Sequence, residues 1–355
     1  MEQVLQDKHS MRNVEIVIPD LFLPREIAVD ACAGLYLPAL EKMLARAEPV
    51  LSSSNVGSAE SLEAWLCRAF GVARYMDDPI APITLLADGM EPGAAYWLRA
   101  DPVHLQMRRT QLFLHPHIPL DADESAQLCA SLNSYFSEEG LHFFSLHPQR
   151  WYLRLENAPD IVTRPLAQVA GKDVQSYLSE GRDALNWHKI FNEIQMIFFE
   201  HPVNQVREAR GDLPINSIWM WGGGHAVEQL ARPYTQVCGD SFLAGAFAQA
   251  AGIPCQISPG DLPQWTDDEG DALIVWEGLR FPIQQGNLHA WRDSVQSLEQ
   301  RYIAPLWEML HNGRIRQLGL NIFDTEGVMQ RFVLTRSSVW KLWRLPKPLA
   351  RYAAE

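Results

Sequence analysis

The chain has 355 residues, 47% of them hydrophobic and 21% charged, a size and composition that suit one large globular α/β unit with a smaller domain. Its 43 acidic against 30 basic residues give a formal net charge of −13, which argues against a non-specific nucleic-acid surface and against docking on anionic lipid. The five cysteines are odd in number and include no C-x-x-C pair, so a disulfide framework or zinc cage is not expected and a reducing cytoplasm is.

The N-terminal MEQVLQDKHSMRN is polar, without the apolar core of a signal segment, and no run of about 18 apolar residues marks a membrane span. Val14 to Ile18 reads as a short apolar strand ending in Pro19-Asp20-Leu21. Functional side chains of α/β sheets sit at the carboxyl ends of strands, so Asp20 stands where a catalytic or metal-binding carboxylate belongs. It is equally a common turn residue. Leu35 to Ala47 has helical spacing, with Leu37, Leu40, Leu44 and Ala47 on one face. A small polar loop, Ser52 to Ser58, precedes a helix over Glu60 to Phe70. A serine at a helix N-terminus meets free N–H groups that stabilise a phosphoserine or attacking alkoxide, and serine is also a preferred cap.

Asp88-Gly89 and Pro92-Gly93 are turns before a strand, Tyr96 to Ala100, that carries Arg99. Asp121 to Glu124 has the form of a capping box opening a helix with Leu128, Leu132, Tyr135 and Phe136 on its apolar face. His142 to Leu146 and Arg150 to Leu155 read as a hairpin, which with the helix makes a small α+β domain. Trp187 to Phe199 is a long amphipathic helix. It leads into a polar stretch in which Asn204, Arg207 and Arg210 are candidates for a ligand pocket, because the planar guanidinium fork matches a phosphate. Ser217 to Trp221 then reads as a buried strand, and Gly222 to Gly224 as a sharp turn or a close backbone approach. Phe242 to Ala251 is a small-residue helix stopped by Gly252, Ser258 to Gly270 a loop, and Ala272 to Trp276 a strand. A helix over Val295 to Leu310 and a last parallel strand, Gln317 to Phe323, bring the chain to Asp324. Val339 to Tyr352, with two tryptophans and several basic residues, wraps the surface.

The pattern HPVN..R..G..P.N.IW.WGGG over His201 to Gly224 resembles the corresponding stretch of archaeal-type cofactor-independent phosphoglycerate mutases, of the alkaline phosphatase superfamily. It resembles still more a bacterial branch, the RpfE-type regulatory proteins. The resemblance runs in order along nearly the whole chain. Asp20 matches a metal-ligating aspartate, with Leu21 where the family has glycine. Ser58 matches the serine that transfers the phosphoryl group, followed by Ala59 where the family has aspartate. Arg99 and Arg150 match family arginines. The resemblance implies an α/β fold: a three-layer alkaline phosphatase-like core sheet with helices on both faces (12–95 and 183–345), an inserted α+β domain (96–182) and a tail (346–355).

Two clustered divalent metals need roughly six Asp and His ligands. The family's D-x-x-x-H place reads Glu277 to Phe281 here, with Arg280 beside it, and its D-H place reads Asp324-Thr325. Asp20, Asp324 and at most His289 remain as a remnant. The resemblance therefore implies a degenerate mutase-like protein without mutase activity or cofactor. Its expected role is regulatory, or the binding of a small phosphorylated or carboxylated metabolite through Arg99, Arg150, Asn204, Arg207 and Arg210. A protein partner fits this role; nucleic acid and membrane do not. The alternative is an active metal-dependent mutase or phosphatase, with Ser58 as nucleophile and Asp20 and Asp324 holding Mn²⁺ or Zn²⁺.

Overall fold

Apolar β-branched residues alternate through Val14, Ile16 and Ile18 and make Arg12–Phe22 the central strand of a seven-stranded sheet. The computed structural model describes residues 12–50, 60–257, 262 and 270–353, and Ser58 and most of the 258–270 loop lie outside them. On one side of the central strand runs Ala272–Val275, then Gln236–Gly239, then Cys255–Ile257, and on the other Ile315–Asp324; all five strands are parallel. Gln317 to Phe323 lies within the last parallel strand, as read; Met329–Thr335 then pairs antiparallel with Ile315–Asp324, and Glu48–Val50 closes that edge. One face of the sheet, including Ile16, Ile18, Ile274, Leu318 and Leu320, packs on helices Pro38–Arg46, Leu288–Leu298 and Ala304–His311. Leu273 and Val275 face the other way, where the alanine-rich helix Phe242–Ala251 lies along the neighbouring strands and ends at left-handed Gly252 as expected.

The helix read from Val295 starts earlier, at Leu288, and is split by a π turn, Glu299–Ile303. Pro305 explains the widening, since it cannot donate to the preceding turn and its ring crowds it. Glu299, on that turn, accepts from the N–H groups of Ala39 (2.7 Å) and Leu40 (3.0 Å) and so caps helix Pro38–Arg46.

The chain divides into two compact units, residues 1–62 with 232–355, and residues 63–231. The boundaries differ from those expected: 63–95 and 183–231 group with 96–182. The reason is one strand. Tyr96–Arg108 continues far beyond Ala100, pairs with Arg150–Leu155 along one edge, and accepts Ser217–Gly224 and then Gln111–His115 along the other. The tryptophan–glycine strand thus belongs to the second unit, not to the parallel core. Helices Ala122–Phe136 and Ala184–Phe199 bury Leu128, Leu132, Phe136, Ile190, Ile194 and Phe198 in its core. The capping box forms as read: Asp121 accepts from the Glu124 N–H at 2.8 Å, and the Glu124 carboxylate from the Asp121 N–H at 3.4 Å. The hairpin is present as His142–His147 and Arg150–Leu155.

The three glycines do not end their strand but complete it. Gly222, at φ 66°, adopts a left-handed conformation beside a register shift opposite Trp97 and Arg99. Gly224 lies against Pro79: a β-carbon there would come within 2.4 Å of the proline Cβ and 2.9 Å of its Cα. All five cysteines are free, and Cys255 is exposed rather than buried. Gly224→Ala is expected to lower stability by about 1–3 kcal/mol, because backbone has to move, and chemical denaturation would measure it.

Candidate functional site

Four parallel strands of the first unit deliver acidic side chains to one edge of the sheet: Asp324, Asp20, Glu277 and Asp240, in the order of their strands. Neighbouring strands are only about 4.8 Å apart, so these carboxylates repel each other unless something neutralises them. Arg280 does so. Its Nη1 donates to Glu277 Oε2 at 2.7 Å and its Nε to Asp20 Oδ2 at 3.4 Å. Glu277 also accepts from the hydroxyl of Ser241, and its own N–H donates to Asp240 Oδ1 at 2.6 Å. Asp324 is turned toward its own loop, accepting from the N–H groups of Glu326 (2.9 Å) and Val328 (2.8 Å).

Asp20 is held in an unusual way. It takes φ 60°, rare for a residue with a Cβ, at a register shift between Ile18 and Phe22, and its carbonyl accepts from the Trp291 indole at 3.1 Å. Burial pushes its carboxyl above the usual range, with Arg280 pulling it back and Glu277 and Asp324 adding to the rise. Burial likewise pushes Asp240 up to about 6.

Asp240 and Ser241 were not among the residues singled out from the sequence. Gln236–Gly239 is four residues long and shows no alternation; the available signal was Gly239-Asp240-Ser241, a strand end running into a serine-capped helix. His289 is 87% exposed and pairs with Asp293 at 3.9 Å, and among the described residues it does not join the cluster. Among the described residues, no three His, Cys, Asp or Glu side chains converge so as to hold a metal ion. The donors present, carboxylates already bound to a permanent guanidinium cation, do not fit a pair of divalent metals.

The residues expected to bind anions lie in the second unit and are occupied internally. Arg99 is buried and donates to Asp101 through Nη2 (2.5 Å) and Nε (3.2 Å), between the rings of Tyr152 and Trp221. The Trp221 indole donates to the other Asp101 oxygen at 2.8 Å. Arg207 is buried too, donating to Glu124 (2.6 Å) and to the carbonyls of Pro119 and Leu213. Asn204 spans the carbonyls of Phe198 and Ile215, both at 2.7 Å, and accepts from the Ile215 N–H. In the structure the polar atoms of these three make internal contacts of the second unit. Arg150 makes a bidentate pair with Asp88 (2.9 and 2.6 Å). Burial alone would raise the Asp88 carboxyl, but hydrogen bonds from Arg150 and Tyr152 outweigh it and hold it below the usual range. Arg210 pairs with Glu124 and Asp212 and is 46% exposed.

The fold these elements define is α/β, an alkaline phosphatase-like parallel sheet covered on both faces, accompanied by an α+β unit. The PH0037 protein of Pyrococcus horikoshii has this fold: it superposes over 97% of this chain and 93% of its own with a TM-score of 0.54, at 12% identity. No family model matches the chain. In sequence it is similar over part of its length to 2,3-bisphosphoglycerate-independent phosphoglycerate mutases. A stretch of 109 residues is 28% identical to that of Methanosarcina mazei, covering 30% of this chain and 28% of the other. A stretch of 107 residues is 30% identical to that of Methanothrix thermoacetophila, covering 30% and 27%. A stretch of 150 residues is 23% identical to the probable mutase of Geobacter sulfurreducens, covering 41% and 38%. The aligned stretches therefore span less than two fifths of these relatives. No helix among the described residues is long and apolar enough to cross a membrane.

Arg207→Ala is expected to destabilise the protein by about 3–5 kcal/mol in urea titrations, since it strips a buried carboxylate of its partner. With Asp240 titrating near 6 in the fold and about 3.9 unfolded, only the folded chain keeps this proton between those values. Stability is then lost as pH rises through this window and stays lower above it. Asp240→Asn preserves the acceptor for Glu277 and removes the charge. It is expected to be more stable than the parent at pH 7.5, by about 1–2 kcal/mol, and equal to it at pH 4.

Proposed function

We propose that this chain is a phosphoglycerate mutase-like protein that works without metal and without mutase turnover, in a regulatory role. The observation that carries the reading is the Arg280 guanidinium bonded to Asp20 and Glu277 at the strand ends. A guanidinium keeps its proton at any pH a protein survives, so the cation is permanent. A divalent ion arriving there meets a like charge and has to break two ion pairs before it gains its ligands. The partial similarity to the mutases supports the lineage, and the resemblance to RpfE-type proteins supports the regulatory half. Of the arginines expected to take a small anion, Arg150 and Arg210 keep solvent exposure (23% and 46%), so a metabolite would meet those two first.

The test is direct. Purified protein is incubated with Mn²⁺ and Zn²⁺, freed of excess metal, and subjected to elemental analysis and to assays of 2- and 3-phosphoglycerate interconversion. The expected result is no stoichiometric metal and no turnover. Removing the cation in Arg280→Ala is expected to raise divalent-metal affinity at least tenfold in calorimetry. Two metals per chain in the unaltered protein, with turnover that vanishes in Ser58→Ala, would instead establish the active phosphotransferase.

A further inference from the structure

Charge is distributed unevenly along this acidic chain. Residues 327–354 hold six of its 30 Lys and Arg and none of its 43 Asp and Glu. Within that stretch the segment that starts at Trp340, the last residue of the 3-10 turn Arg336–Trp340, turns its large apolar side chains outward: Trp340 is 64% exposed, Leu342 63%, Trp343 76% and Leu345 74%. The segment is fastened from below. Lys341 pairs with Glu48 at 2.6 Å, Arg344 donates to the Ala47 carbonyl at 2.8 Å, and Arg46 donates to the Val339 carbonyl at 2.8 Å. The His311 ring sits 6.0 Å from that of Trp340. The exposed aromatic groups are therefore presented on a fixed platform, and Lys347 and Arg351 continue it with exposed charge.

Beside this platform lies a surface of opposite character. Helix Arg25–Cys32 packs on the final turn, Leu349–Tyr352, where Phe22 and Tyr352 stack at 6.3 Å. It buries Ala28 and Ala31 and exposes Arg25, then Glu26 and Asp30, the two acids one helical turn apart, together with Ile27 and Val29. A basic, tryptophan-rich strip and a helix with two exposed carboxylates against one exposed arginine thus adjoin on one unit. Large apolar side chains held out in solvent mark an interaction site, and tryptophan and arginine are favoured at interface centres.

We propose that this face binds a second copy of the chain about a two-fold axis, the basic strip of each copy lying against the acidic helix of the other. A two-fold interface needs a patch that complements itself, and the side-by-side placement of the two charges satisfies this. The charge of the strip also favours an acidic partner over an unrelated basic one, and the chain itself is acidic.

Sedimentation velocity on the full chain over a wide concentration range tests the proposal. A dimer is expected, converted to monomer by Trp343→Glu with an unchanged melting temperature, since that side chain lies largely in solvent. Glu26→Lys with Asp30→Lys is expected to weaken the dimer at least tenfold. Adding Lys347→Glu with Arg351→Glu to that variant is expected to restore it, because the charges are then exchanged rather than removed. A monomer at every concentration would overturn the proposal, as would a dimer indifferent to Trp343→Glu or a charge exchange that fails to rescue. A monomer that co-floats with phosphatidylserine vesicles but not phosphatidylcholine vesicles would assign the strip to an anionic bilayer instead.

Discussion

The pairing of one guanidinium with the carboxylates at the sheet edge governs what the first unit can do. Parallel strands bring Asp20 and Glu277 to the same edge, and desolvation there makes every uncompensated negative charge expensive. There are three physical remedies: a metal cation, protonation, or an internal base. This chain uses the third for Asp20 and Glu277 through Arg280, while burial moves Asp240 toward the second. The hydrogen bond from the Glu277 N–H to Asp240, and that from the Ser241 hydroxyl to Glu277, tie the two remedies into one network. A change at any member alters the charge that the others have to balance.

The second unit solves the same problem separately. Each buried guanidinium has a carboxylate assigned to it: Arg99 has Asp101 and Arg207 has Glu124. The tryptophans of the glycine-rich strand share in this. Trp221 completes the shell of Asp101, and Trp219 donates to the Arg164 carbonyl at 2.8 Å. The sequence pattern that makes the chain resemble the mutases is, in this unit, a pattern of packing and charge balance.

What could be read from the sequence was what depends on near neighbours. The Asp121–Glu124 capping box, the Gly252 stop and the amphipathic helix ending at Phe199 are each decided within a few residues, and all three stand in the structure. What could not be read depends on distant partners. Arg207 looked like a ligand-binding arginine because Glu124 lies 83 positions away, and the bond from Arg280 to Asp20, which spans 260 positions, was equally out of sight. The strand before Asp240 escaped notice because four residues buried between two other strands need no alternation. Ser58 lies outside the described residues, so its matching to a nucleophile rests on the resemblance alone.

The discontinuous layout of the first unit has a consequence for its synthesis. Arg12–Phe22 leaves the ribosome long before the strands that flank it, Ala272–Val275 and Ile315–Asp324. At about 5–20 residues per second, the central strand waits roughly 10–50 s for a neighbour. The second unit, continuous over 63–231, is complete well within that interval. Until residue 272 emerges, an apolar strand with both edges open is a template for unwanted pairing, so the nascent chain, rather than the finished protein, is where this architecture is most exposed to misfolding.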